Sequence, residues 1–213
     1  MSFYEDRIFP VALDIALAGI ADTRRELIQS AQGRVLEVGI GNGANLRYYT
    51  DRATEVVGVE PCAAMVDMAQ KKVDKLIADS EGKISRDKYQ LKVGGGENLD
   101  LEDNSVDTAV ACLVFCTIPD AEGAAKEMFR VLKPGGKMLF FEHVHAAPGI
   151  KARVQNLLNP IWKPLACGCH LNRNTKHMFE QAGFNYQQIE EYHHSKMFPI
   201  FSSVIEGIAV KPG

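Results

Sequence analysis

Apolar positions along this chain alternate between two periods. Val35, Leu36 and Val38 form a short, largely β-branched run, and Thr54–Glu60, Tyr89–Val93, Thr108–Phe115 and Lys137–His143 repeat that character at strand length. Between them the apolar spacing becomes helical. Ala64, Met65, Met68 and Val73 mark the inward face of a helix from Pro61 to about Asp79, with proline suited to the first turn. Asp120 is placed to cap a helix over Ala121–Leu132, with Phe129 and Leu132 inward. Ile8, Val11, Ala12, Ile15, Ala18 and Gly19 keep helical spacing ahead of the first strand, and Asp22–Gln32 reads as a second helix. Ser80–Lys88 is a polar, solvated loop, and two further strands run over about Tyr186–Tyr192 and Phe201–Lys211. Strands alternating with helices predict an α/β domain, and the nearly continuous apolar run Thr108–Phe115 belongs in the middle of its sheet.

The glycines add chemistry to this pattern. Gly39, Gly41 and Gly43 follow the first strand at alternate positions, and a helix-like stretch starts at Ala44. Strand, glycine loop and helix in that order form a nucleotide site at the end of a parallel strand. Gly39-x-Gly41-x-x-Ala44 also fits the dinucleotide fingerprint, so a nicotinamide dinucleotide stands as one reading. Glu37, two residues before Gly39, would repel a pyrophosphate and suits a cation such as an amino acid ammonium. Glu60 ends the second strand, where a carboxylate can accept two hydrogen bonds from a ribose diol.

V-L-E-V-G-I-G-N-G over Val35–Gly43 resembles motif I of the class I S-adenosylmethionine (SAM) dependent methyltransferases, and L-K-P-G-G over Leu132–Gly136 before a strand is a second likeness. The resemblance implies one Rossmann-like domain over residues 1–213. Its sheet would have seven mostly parallel strands with the last antiparallel, and helices on both faces. It implies SAM as cofactor, held by Glu37, Gly39, Gly41, Asn42, Gly43, Glu60, Pro61 and Met65. Glu97 and Asn98, in the loop Gly94–Leu99, would meet the adenine, and Leu113 with its neighbours to Thr117 would wall the methyl donor. Residues 1–32 would form a helical cap.

The C-terminal third narrows the likeness. E-H-V from Glu142, N-P-I-W-K from Asn159, G-C-H-L-N-R-N-T from Gly168 and a closing G-I-A-V-K resemble the methyltransferase-like 7 family of thiol S-methyltransferases. This implies a small-molecule acceptor, a thiol, bound by the segment 146–183. Ala166 and Cys167 stand before Gly168 where the family often has an acid, and Asn172 and Asn174 replace a threonine and an acid. An amine, phospholipid headgroup or quinone acceptor therefore stays open, as does SAM binding without catalysis. A thiol acceptor must lose its proton, so His143 at the end of its strand is the first catalytic candidate, ahead of His145 and His170. Arg173 could pair with Glu142 or bind an anionic acceptor, and Cys116 and Cys169 read as packing thiols.

Composition limits the partners. The 213 residues are 46% hydrophobic with a net charge of −3 and scattered basic residues, which leaves no footprint for nucleic acid. No run of about 18 apolar residues occurs, so no transmembrane segment is expected. Five cysteines without a secretory signal predict reduced thiols in the cytoplasm. Cys167-Gly168-Cys169-His170 has C-x-C spacing and no second cysteine pair, so no metal is expected from it.

Overall fold

The alternation of side chains along each strand sets the layers. The computed structural model describes residues 19–213; the helical periodicity over Ile8–Ala18, and with it most of the expected cap, lies outside the described residues. Seven strands form one sheet: β1 (Gly33–Val38), β2 (Ala53–Glu60), β3 (Tyr89–Val93), β4 (Val106–Cys112), β5 (Leu132–His143), β6 (Asn185–His193) and β7 (Ser203–Val210). Their order is β3-β2-β1-β4-β5-β7-β6. The first five pair in parallel, and β7 runs antiparallel to both β5 and β6. The α/β class, seven strands and reversed last strand expected from the sequence are all present.

Successive residues of each strand serve different cores, as a period of two requires. Leu36, Ala109, Met138 and Phe140 face one cluster, covered by α3 (Ala121–Val131) and α5 (Thr175–Ala182). Val35, Val110, Leu139 and Phe141 face the other, covered by α1 (Ala21–Gln29) and α2 (Ala63–Asp79). α4 (Ile150–Leu165) buries little beyond Ala152 and Gln155. Gln155 pins it by accepting from Ala146 N–H at 2.8 Å and donating to the Ile200 carbonyl at 2.9 Å. The outward side of α4 exposes Ile150, Leu157, Ile161 and Leu165.

Several local expectations differ from the fold. The helix read from Pro61 starts at Ala63 with Cys62 as its N-cap, which leaves Pro61 ahead of the first turn. No α-helix starts at Ala44; a single 3-10 turn, Leu46–Tyr48, takes its place. Asn45 and Tyr49 both reach back to the buried Glu37, and that tether competes with regular helix. β4 ends at Cys112 because Leu113 adopts a left-handed backbone, φ 53°. α3 stops at Val131, and its buried face is Ala121, Ala124, Ala125, Met128 and Val131; Phe129 is half-buried against the same core, and the fully buried Leu132 is the first residue of β5. The expected cap holds, since Asp120 accepts from Gly123 N–H at 2.9 Å.

Candidate active site

Strand order reverses between β2-β1 and β4, and a crevice forms where neighbouring crossovers leave in opposite directions. A cavity of about 450 Å³ opens there, at the carboxyl ends of β1, β2 and β4. Eight of the eleven residues expected to hold the cofactor line it: Gly39, Gly41, Asn42, Glu60, Pro61, Met65, Glu97 and Leu113. Two of the glycines have separate reasons to be there. A Cβ on Gly39 (φ 69°) would sit 2.2 Å from Val114 Cγ2, so β1 could not pass the β4 loop. A Cβ on Gly41 (φ 54°) would meet nothing nearer than 4.0 Å, so here the missing side chain leaves room for a ligand. Gly43 packs instead toward Leu46 and Ala69 and lies off the cavity wall.

Glu60 is 8% exposed and forms part of the wall. It accepts from Gly41 N–H at 3.2 Å and Cys62 N–H at 3.0 Å. Burial raises its pKa, and those two backbone bonds oppose the rise. Asn42 is buried and accepts from Lys72 Nζ at 3.1 Å. Asn98 is exposed and off the cavity, while Leu99 turns inward with its N–H on Glu127.

Glu37 is placed differently from a direct ligand contact. It is 1% exposed, lies behind the cavity wall, and accepts from Asn45 Nδ2 and Tyr49 OH, each at 2.7 Å. Desolvation pushes its pKa up to about 7, against the lowering effect of those bonds and of Arg24. Asn45 and Arg24 do line the cavity, and Arg24 Nε donates to Asn45 Oδ1 at 2.9 Å. Sequence reasoning missed both. The available signal was an arginine on the same helical face as Leu27 and Ile28, all three buried in α1.

The loop after β4 forms the opposite wall. Glu142, 0% exposed near the end of β5, accepts from Val114 N–H at 2.9 Å and Phe115 N–H at 3.2 Å. Burial raises its pKa to about 7. Arg173 pairs with neither Glu142 nor an open anion position. Its Nη1 donates to the Phe115 and Ile118 carbonyls and clamps the same loop. Leu113 and Cys167, two of the four non-glycine residues at positive φ among the described residues, both line the cavity. Strained backbone of this kind persists where the surroundings enforce it, often at sites.

Beside this wall three polar side chains converge. His143 Nε2 lies 3.2 Å from Cys169 Sγ, and Cys116 Sγ, the His143 ring and Cys169 Sγ offer donor atoms within 4.8 Å of one another. The Cys169 pKa is lowered, first by the Cys116 thiol and then by His143, while burial works against it; the Cys116 pKa is raised correspondingly. His143 Nδ1 is buried without a hydrogen-bond partner. His145 is used elsewhere, its Nε2 3.4 Å from the Ala152 carbonyl oxygen and its N–H on the Arg173 carbonyl. Burial lowers the His170 pKa, and its N–H bonds the Cys116 carbonyl at 2.8 Å. Burial pushes the pKa of Cys112, on the cavity wall, up to about 12, so it stays a thiol.

Similarity to known proteins agrees with this geometry. A family model described as a methyltransferase domain matches residues 36–140. The rat thiol S-methyltransferase TMT1B is 35% identical over 159 residues, covering 73% of this chain and 62% of the rat protein. The human thiol S-methyltransferase TMT1A is 31% identical over 202 residues, covering 90% of this chain and 80% of the human one. Among solved structures, a geranyl diphosphate methyltransferase in complex with SAM superposes with a TM-score of 0.67 at 14% identity. That match covers 99% of this chain and 91% of the other, and it speaks for the fold.

Proposed function

The chain belongs to the family of the thiol S-methyltransferases TMT1A and TMT1B, among the class I SAM-dependent methyltransferases, and on that premise we propose that it methylates a small thiol. The observation that carries this reading is the Cys116–His143–Cys169 cluster standing beside a cavity of nucleotide-binding form.

The residues present fit the cofactor. Gly41 leaves the cradle open, Glu60 offers a buried carboxylate to the ribose hydroxyls, and Met65 and Glu97 line the side assigned to adenine. Arg24 offers a cation to the carboxylate of the methionine part. Glu37 serves its ammonium end by orienting Asn45. SAM supplies a sulfonium methyl that is already activated. The chain's work is therefore to orient, to exclude water and to present the acceptor as a thiolate. Leu113 and Val114 close the apolar wall. The segment 146–183 receives the acceptor, since it brings Cys167 to the cavity and Cys169 to His143. His143 is the catalytic residue in this reading, acting with the cysteines beside it on the acceptor sulfur. All five cysteines remain thiols, which supports a reducing, cytoplasmic setting. No helix of the described residues is long and apolar enough to cross a membrane.

The test is S-adenosylhomocysteine release against a panel of small thiols, amines, phenols and phospholipid headgroups. Turnover with thiols is expected, falling as pH drops below the pKa of each thiol. Turnover confined to another class would overturn the thiol assignment.

A further inference from the structure

The cluster beside the cavity contains more donor chemistry than proton transfer needs. Cys116 comes from the loop after β4, His143 from the last position of β5, and Cys169 from the loop before α5. All three are held by the backbone around them. His170 N–H bonds the Cys116 carbonyl at 2.8 Å, Cys169 N–H bonds the Ala166 carbonyl at 3.0 Å, and Val144 N–H bonds Ser203 on β7 at 2.8 Å. The Arg173 guanidinium fastens the carbonyls of Phe115 and Ile118 on either side of Cys116.

Two sulfurs and one imidazole nitrogen form a soft donor set, and tetrahedral zinc uses such sets. With Zn–S near 2.3 Å and Zn–N near 2.0–2.1 Å, ligand atoms stand about 3.5–3.8 Å apart. The present separations, 3.2 Å for His143 Nε2 to Cys169 Sγ and within 4.8 Å throughout, bracket those values. Shifts of about 1 Å suffice to close the site. His143 presents Nε2 to Cys169, so Nε2 is the ligand nitrogen and the proton of the neutral ring stays on the buried Nδ1.

We propose that Cys116, His143 and Cys169 bind a zinc ion whose fourth position takes the acceptor thiol. This deepens the thiol methyltransferase reading and rests on it, with His143 acting as a ligand. Three protein ligands with one open position is the arrangement of catalytic rather than structural zinc. The site adjoins the donor cavity: Val114 and Thr117, which flank the Cys116 loop, and Cys167, two residues from Cys169, all line it. The acceptor thiol binds as thiolate and releases its proton to solvent. A sulfur lone pair forms the new S–CH3 bond as the sulfonium C–S bond breaks, and that electron pair stays on the departing sulfur of S-adenosylhomocysteine. The product is a neutral thioether, a weaker zinc ligand than the thiolate, and it leaves.

The test is metal content and Co²⁺ substitution on the full chain, with S-adenosylhomocysteine binding and thiol turnover measured on the same samples. About one zinc per chain is expected. Co²⁺ should give thiolate-to-cobalt charge-transfer absorption that shifts when a small thiol is added. C116S, H143A and C169S should each weaken zinc binding at least tenfold while S-adenosylhomocysteine still binds, which establishes that the variants fold. H177A, at an exposed histidine of α5, should keep the metal. No stoichiometric metal in a chain that methylates thiols would overturn the zinc site and leave the thiol reading standing. So would metal retained by all three variants. Metal held by these residues, with the thiol-dependent spectral shift but no turnover on any thiol, would support the site and overturn the thiol methyltransferase reading.

Discussion

Glu60→Ala removes the carboxylate that ends β2 and faces the cavity. If it holds a ribose diol, two hydrogen bonds to a charged acceptor are lost, each worth about 1.5–3 kcal/mol. The loss is partly offset. Gly41 N–H and Cys62 N–H, which Glu60 engages in the free chain, are released toward a wet cavity rather than into the core. The net cost is therefore about 2–4 kcal/mol, or roughly 30- to 900-fold in the dissociation constant of S-adenosylhomocysteine. Isothermal titration calorimetry at pH 8 measures it, and Glu60→Gln, which keeps one acceptor oxygen, should fall between wild type and alanine. The pH dependence supplies an internal control. Burial raises the Glu60 pKa, and the bound ligand favours the ionised form. Affinity should thus decline as pH falls through that raised value, and the Glu60→Gln variant should lack this decline. An alanine variant that binds within twofold of wild type would refute the reasoning.

Glu37 ties stability to pH. Its pKa is about 7 in the fold against an ordinary 4.5, so the native state holds the proton more tightly. The stability it lends is full below about pH 4.5 and is lost as pH rises through 7, at most about 3 kcal/mol. Urea unfolding at pH 5 and pH 8 should reveal that slope, and Glu37→Gln should flatten it. Gly39→Ala places a Cβ 2.2 Å from Val114 at φ 69° and should cost at least about 2 kcal/mol in thermal or urea unfolding. Gly41→Ala meets no protein atom closer than 4.0 Å, so it should cost only about 1–2 kcal/mol of stability while binding drops far more. Arg24→Met should weaken S-adenosylhomocysteine at least tenfold and leave methylthioadenosine, which lacks the amino acid part, within about twofold. Equal losses for the two ligands would count against Arg24 facing the carboxylate.

The sheet was legible because its signals are local. Two-residue alternation in Val35–Val38 and Lys137–His143 separates the two cores, and Gly39 and Gly41 punctuate β1 where the chain must turn. Glu60 was legible for a similar reason, since the end of β2 must lie beside the end of β1 in a parallel pair. What was not legible depends on long-range placement. Arg24 and Asn45 are 21 positions apart and meet only when α1 packs on the sheet. Glu37 carries the acid of its motif, yet the chain folds Asn45 and Tyr49 over it, and of the three only Asn45 lines the cavity. The Cys116–His143–Cys169 cluster draws on three distant segments. The spacing of the C-x-C-H run spoke against a metal and left Cys169 as a packing thiol, whereas in the fold Cys167 turns toward the cavity and Cys169 turns toward His143.

The most direct test of the thiol assignment follows the methyl group itself. With SAM labelled by ¹³C at the methyl carbon, NMR should detect the sulfonium signal giving way to an S–CH3 thioether signal on the added thiol. Its rate should fall at least tenfold in the His143→Ala chain while S-adenosylhomocysteine affinity holds. Label that stays on the sulfonium with every thiol tried, in a chain that binds the cofactor normally, would contradict the assignment.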